Sequence, residues 1–118
     1  MTIYQEVILD HAENPRNTGN IQNPTKSVIV YNPLCGDKIK MDVLIKKDKV
    51  VDVRFQGKGC AISKAASSLM TQWVKGKTKE ELKKMTKKDM MNLLKIELGP
   101  NRIKCALLPL EALQKLLI

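Results

Sequence analysis

The chain has 118 residues, 43% of them hydrophobic but only four of them aromatic, so it suits one compact domain (1–118) whose core is filled by aliphatic side chains and methionines. Its net charge is +9. The lysines between Lys75 and Lys95 are interleaved with Glu80, Glu81, Asp89 and apolar residues at helical spacing, as on solvated helix faces, and no basic run carries the aromatic rings that stack on bases; this argues against a nucleic-acid partner.

Met1 to Asp10 is short and carries Glu6 and Asp10, unlike a signal peptide, and no apolar stretch approaches the roughly 18 residues of a membrane helix. The expected location is the cytoplasm. In that reducing setting three cysteines do not form a disulfide framework, which leaves metal binding, sulfur chemistry or inert burial.

In chain order, Thr2 to Ala12 places Ile3, Val7 and Ile8 at helical spacing, and Asn14-Pro15 ends that helix. Asn17, Gly19, Asn20, Asn23 and Pro24 then predict a turn-rich connection to Lys26. Three strands are predicted: Ser27 to Tyr31, Ile39 to Ile45 and Val50 to Phe55. In the second, Ile39, Met41, Val43 and Ile45 alternate with Lys40, Asp42 and Leu44; in the third, Val51, Val53 and Phe55 alternate with Asp52 and Arg54. The remainder is helical. Ile62, Ala65, Ala66, Leu69, Met70 and Trp73 form a stripe ending at Lys75-Gly76; Thr78 with Glu81 has the pattern of a capping box opening a short helix through Met85; Asp89 to Glu97 and Arg102 to Leu117 follow. The predicted class is α+β: a small three-stranded antiparallel sheet with helices packed on one side.

Matching the apolar faces across Lys46 to Lys49 pairs Ile45 with Val51, Val43 with Val53 and Met41 with Phe55. Extended, that register sets Cys60 opposite Gly36, so Cys35 and Cys60 emerge at one end of the hairpin. Cys35 lies in the turn sequence Asn32-Pro33-Leu34-Cys35-Gly36-Asp37. Cys60 immediately precedes a helix and Cys105 is expected in the first turn or so of another, positions that favour a thiolate. With Asp37 as an oxygen donor, three thiolates and a carboxylate make a tetrahedral set for zinc or ferrous iron, or most of the ligands of an iron–sulfur unit. By residue type alone, three inert buried cysteines account for the sequence equally well.

These segments closely resemble the U-type iron–sulfur scaffold family, which comprises IscU, SufU and the N-terminal domain of NifU. The resemblance runs through Tyr4 to His11 with Asn14-Pro15-Arg16-Asn17, Asn32 to Asp37, Gly59-Cys60-Ala61-Ile62-Ser63 leading to Ala66-Ser67-Ser68, and Arg102-Ile103-Lys104-Cys105. It implies a SufE/NifU-like fold and a scaffold or carrier rather than an enzyme. Such a protein accepts sulfur from a cysteine desulfurase, binds iron or a 2Fe-2S cluster, or zinc when cluster-free, and passes the cluster to apo iron–sulfur proteins. The alternative is a SufU-like zinc-dependent sulfur acceptor, a sulfurtransferase-like role. The implied ligands are Cys35, Asp37, Cys60 and Cys105, with Cys105 and Cys35 as sulfur acceptors; an iron or electron donor is a further partner, and the chain is expected as a monomer or weak dimer.

The chain departs from the family pattern at Leu34, at Lys104 where the IscU branch has histidine, and at Leu98-Gly99-Pro100-Asn101, which does not match the IscU chaperone-recognition motif. The 45-residue step from Cys60 to Cys105 lacks the insertion typical of SufU. Two readings from other classes are a structural-zinc adaptor and a cysteine-dependent hydrolase; the second would need His11 near a cysteine, whereas His11 reads as a polar surface residue. Lys104 is either a cation that pairs with Asp37 or the first exposed residue of its helix. Met70, Met85, Met90 and Met91 read as core filler.

Overall fold

The computed structural model describes residues 2–33 and 36–118. Helix α1 (Ile3–Glu13) leads to strands β1 (Lys26–Asn32), β2 (Asp37–Lys46) and β3 (Lys49–Lys58), followed by helices α2 (Ala61–Val74), α3 (Lys79–Lys83), α4 (Lys87–Leu94) and α5 (Pro100–Leu116). The strands form one antiparallel sheet in the order β1-β2-β3, with α5 packed on β1 and β2, α2 packed on β3, and α1 lying against α2. The predicted class is therefore the observed one. No helix among the described residues is long and apolar enough to cross a membrane.

Register explains the core. Val28, Met41 and Phe55 stand in one cross-strand row, and Val43 with Val53 in the next; each of the four residues in β2 and β3 is buried and shares a face with Val30 and Ile39. That face receives Ala65, Ala66 and Met70 of α2 and Leu108 and Leu113 of α5. Met70, Met85 and Met90 are buried and Met91 packs against them, which is the filler role expected where aromatic rings are few.

The hairpin departs from the expected register in one respect. A shift between Leu44 and Ile45 pairs Ile45 with Val50 instead of Val51, so Val50 enters the core while Val51 is half exposed. The cause is the turn. Lys46 pairs with Lys49, leaving two residues, Lys47 and Asp48, both at positive φ (52° and 66°); this tight turn matches the twist of the strands, and the bulge restores the facing of Val43 and Val53. Asp42, expected on a solvated face, is buried because its carboxylate accepts from the Ile21 N–H and the Ser27 hydroxyl.

Helix boundaries also shift. The Thr78 hydroxyl accepts from the Glu81 N–H, but α3 stops at Lys83; a reciprocal capping box at Thr86 and Asp89 opens α4 at Lys87, and Lys95 in the left-handed conformation (φ 57°) ends it at Leu94 rather than at Glu97.

His11 is not a surface residue. It is 6% exposed in the seam between α1 and α2, where its Nδ1 lies 2.6 Å from the Ser68 hydroxyl oxygen, which also accepts from the Arg16 N–H at 2.8 Å. Burial lowers the His11 pKa from its ordinary 6.5, and the nearby Arg16 cation lowers it further against an opposing effect of Asp10. The neutral imidazole thus belongs to the helix seam.

Candidate metal centre

The centre begins with strand alternation. Asp37, Ile39, Met41 and Val43 point to the same face of β2, so the carboxylate of Asp37 is the last member of the core-facing row and enters the helical layer at the end of the sheet. It is 2% exposed. Gly36 before it has φ +71°, a turn conformation suited to glycine.

Cys60 is the N-cap of α2, two residues after the last residue of β3, and its backbone N–H donates to Oδ1 of Asp37 at 3.1 Å. This bond ties the start of β2 to the start of α2. Gly59 lets the two segments approach: a Cβ there would lie 2.8 Å from Asp37 Oδ1 and 3.2 Å from Ser63 Oγ. Cys105 reaches the same place from α5, buried, with its thiol donating to the Asn101 carbonyl at 3.6 Å.

The last helix starts earlier than the expected position near Arg102. Pro100, whose fixed φ suits a first helical residue, starts α5 two residues before Arg102, so Cys105 lies in the second turn. The thiol meets an i−4 carbonyl there instead of unpaired N–H groups. Cys60 does sit at a helix N-terminus, as the N-cap of α2.

One ligand atom from each of Asp37, Cys60 and Cys105 can be chosen so that all three lie within 4.8 Å of one another. Around a tetrahedral zinc the ligand atoms would stand about 3.5 to 3.8 Å apart. The donor types suit a borderline-soft cation, around which the three atoms would stand about 1 Å closer together. Cys35, the fourth sequence-derived candidate, lies outside the described residues. Lys104 is exposed on α5, next to the buried Cys105.

The sequence offers Asp37, Cys60 and Cys105 as candidates, and the structure brings these three together, but the packing role of Gly59 was not assigned from the sequence. A signal was present: a glycine directly before a cysteine at a strand-to-helix junction marks a place where backbone must pass close to something.

A buried carboxylate and two cysteines, gathered by a strand end and two helices at one end of a three-stranded sheet, define a small α+β protein with a candidate metal pocket of one carboxylate and two cysteine sulfurs. The chain belongs to the NifU-like N-terminal domain family, which matches residues 3–117. It is 42% identical to the zinc-dependent sulfurtransferase SufU of Bacillus subtilis (strain 168), covering 97% of this chain and 88% of that one. It is also 36% identical to the iron–sulfur cluster assembly scaffold protein IscU of Escherichia coli (strain K12), covering 94% and 88%. The alignment with SufU extends over 131 residues, more than this chain contains, so some positions of SufU have no counterpart here. The candidate SUF-system iron–sulfur cluster assembly scaffold of Fervidobacterium islandicum AW-1 has the same fold, with a TM-score of 0.83 and 32% identity over 96% of this chain and 95% of that one.

Proposed function

We propose that this protein is a scaffold for iron–sulfur cluster assembly, with Cys35, Asp37, Cys60 and Cys105 as the ligand set. The observation that carries the reading is the convergence of Asp37, Cys60 and Cys105 within 4.8 Å, on three elements that meet at one end of the sheet. Cys60 is half-buried, and this suits a site that must take in and release its cargo. Iron and sulfide, or a 2Fe-2S cluster, are then substrate and product of assembly. The partners are a cysteine desulfurase, apo iron–sulfur acceptors and a donor of iron or electrons, in the cytoplasm. Thiolates bind the cluster strongly, whereas the carboxylate of Asp37 is a harder donor that an acceptor thiol displaces more readily. Anaerobic reconstitution with iron, sulfide and a matched desulfurase should give sulfur-to-iron absorption that moves to an apo-ferredoxin on mixing. In Cys105→Ser that absorption and tight zinc binding should both be lost; if both persist, the shared site is wrong.

A second reading is supported by the 42% identity to SufU and by Lys104 immediately before the last cysteine. Here zinc stays bound and Cys105, or Cys35, carries persulfide sulfur from the desulfurase to an acceptor. Zinc analysis of freshly purified protein, with mass spectrometry after reaction with desulfurase and cysteine, separates the two. One retained zinc with a single added sulfur and no cluster transfer favours the sulfur carrier.

A further inference from the structure

Beside the metal centre lies a groove of about 490 Å³ whose sheet contribution comes from β1 alone, the edge strand. Tyr31 and Asn32, at the end of β1, form that side; the other is a face of α5 running from Lys104 to Gln114 at three- and four-residue steps, joined by Lys87 at the start of α4. Among the described residues no segment pairs with the outer edge of β1, whereas the outer edge of β3 is bonded to Asn17 and Gly19 near Phe55 and to Gly76 and Lys77 at Val50. The protein thus covers one edge of its sheet with its own chain and presents the other. Edge strands are commonly protected by charge, proline or short length; here β1 has seven residues and exposes Ile29 and Tyr31, with Pro33 only after its end.

The groove also has a definite charge. Lys87 and Lys104 stand in its lining. Its one acid, Glu111, is engaged by Lys115 at 3.5 Å, so the cations remain to meet an occupant. Leu107 and Leu108 offer an apolar floor between them. From Lys104 to Gln114 the helix rises about 15 Å, the span of four or five residues of extended chain.

The geometry points to this groove as the docking site for an extended, acidic segment of a partner protein, which adds as a fourth strand to the edge of β1 and sets its carboxylates beside Lys87 and Lys104. Main-chain bonds to the strand edge provide affinity, and the alternation of side chains provides selectivity: one set reaches the leucines and the other the lysines or solvent. Such a segment would lie alongside Lys104, one residue from Cys105, so its binding would place the partner next to the metal centre without using a ligand of that centre.

The test uses the full chain and labelled hexapeptides of alternating leucine and glutamate, read by fluorescence anisotropy at low salt, with amide shifts locating the bound peptide. The expected result is saturable binding with shifts confined to β1, α5 and the start of α4 around Lys87. Methylating alternate backbone nitrogens should weaken it at least tenfold in one of the two possible phases, because one phase removes the pairing donors. Replacing glutamate by lysine should weaken it at least tenfold. The double variant Lys87→Glu, Lys104→Glu should reverse the preference between the two peptides while keeping the zinc affinity of the unmodified protein. This separates failure of the docking site from failure of the metal-centre reading. No binding at millimolar peptide, equal binding of both methylated phases, or indifference to charge would each overturn the proposal. So would a dimer in sedimentation whose interface is the β1 edge, since the occupant would then be a second copy.

Discussion

The carboxylate of Asp37 accepts the backbone N–H of Cys60 at 3.1 Å, so the residue that opens β2 and the residue that caps α2 are held by one bond. The same side chain contributes to the cluster of Asp37, Cys60 and Cys105 donors. It therefore has a structural and a chemical role, and two substitutions separate them.

Asp37→Ala removes both the acceptor and the charge, and we expect a loss of about 1–3 kcal/mol in stability from the hydrogen bond. The thiolates remain, so the variant should still acquire a cluster but transfer it to an apo-acceptor more slowly than the unmodified protein. Asp37→Asn keeps an acceptor for Cys60 and should recover most of the stability while transferring as slowly as the alanine variant. Thermal melts and transfer half-times of anaerobically reconstituted proteins check both; unchanged or faster transfer in the two variants would remove Asp37 from the release step.

Gly59→Ala tests the close approach. The added Cβ would meet Asp37 Oδ1 at 2.8 Å, closer than real contacts allow, so the carboxylate or the backbone before Cys60 must move. Zinc affinity should fall at least tenfold, since the added methyl pushes aside either the Asp37 carboxylate or the backbone that carries Cys60, two of the three donors. Gly99→Ala is the control, because a Cβ there meets nothing within 4 Å. Competition with a chelating dye should show the loss in the first variant and little change in the second.

The seam between α1 and α2 should make stability depend on pH. Burial lowers the pKa of His11 in the folded protein, so on acidification the unfolded chain takes up this proton first. The stability tied to neutral His11 is full above about pH 6.5 and is lost as pH falls through the lowered folded-state value. Melting temperature should drop between pH 7.5 and 5, and drop less in His11→Gln relative to its own value at pH 7.5. Ser68→Ala, which removes the partner of both His11 Nδ1 and the Arg16 N–H, should cost about 1–3 kcal/mol at neutral pH. An identical pH profile in His11→Gln would assign the dependence to other groups.

The hairpin turn is open to improvement. Lys47 and Asp48 both hold positive φ, which costs most side chains such as lysine roughly 1 kcal/mol or more and aspartate less, while asparagine and glycine suit the two positions best. The pair Lys47→Asn and Asp48→Gly should raise the melting temperature by a few degrees without altering metal binding. No change, or a fall, would mean that the turn is not the tight two-residue type.

The sequence by itself determined the order and type of the elements, because alternation in the strands and three- to four-residue spacing in the helices are local consequences of which face each element buries. It also marked Asp37, Cys60 and Cys105, through a turn, a strand-to-helix junction and a helix near the end of the chain. Side-chain positions that depend on what lies across the molecule were decided only by the tertiary structure. Val50 instead of Val51 enters the core because a bulge follows the two-residue turn. His11 and Asp42 are buried because the Ser68 hydroxyl meets the first, and the Ile21 backbone and Ser27 the second. Cys105 entered the second helical turn when Pro100 began α5 early. Spacing along the chain sets which face a side chain takes, but the burial of a polar group depends on a partner that covers it, and those partners lie 15 to 57 residues away in sequence.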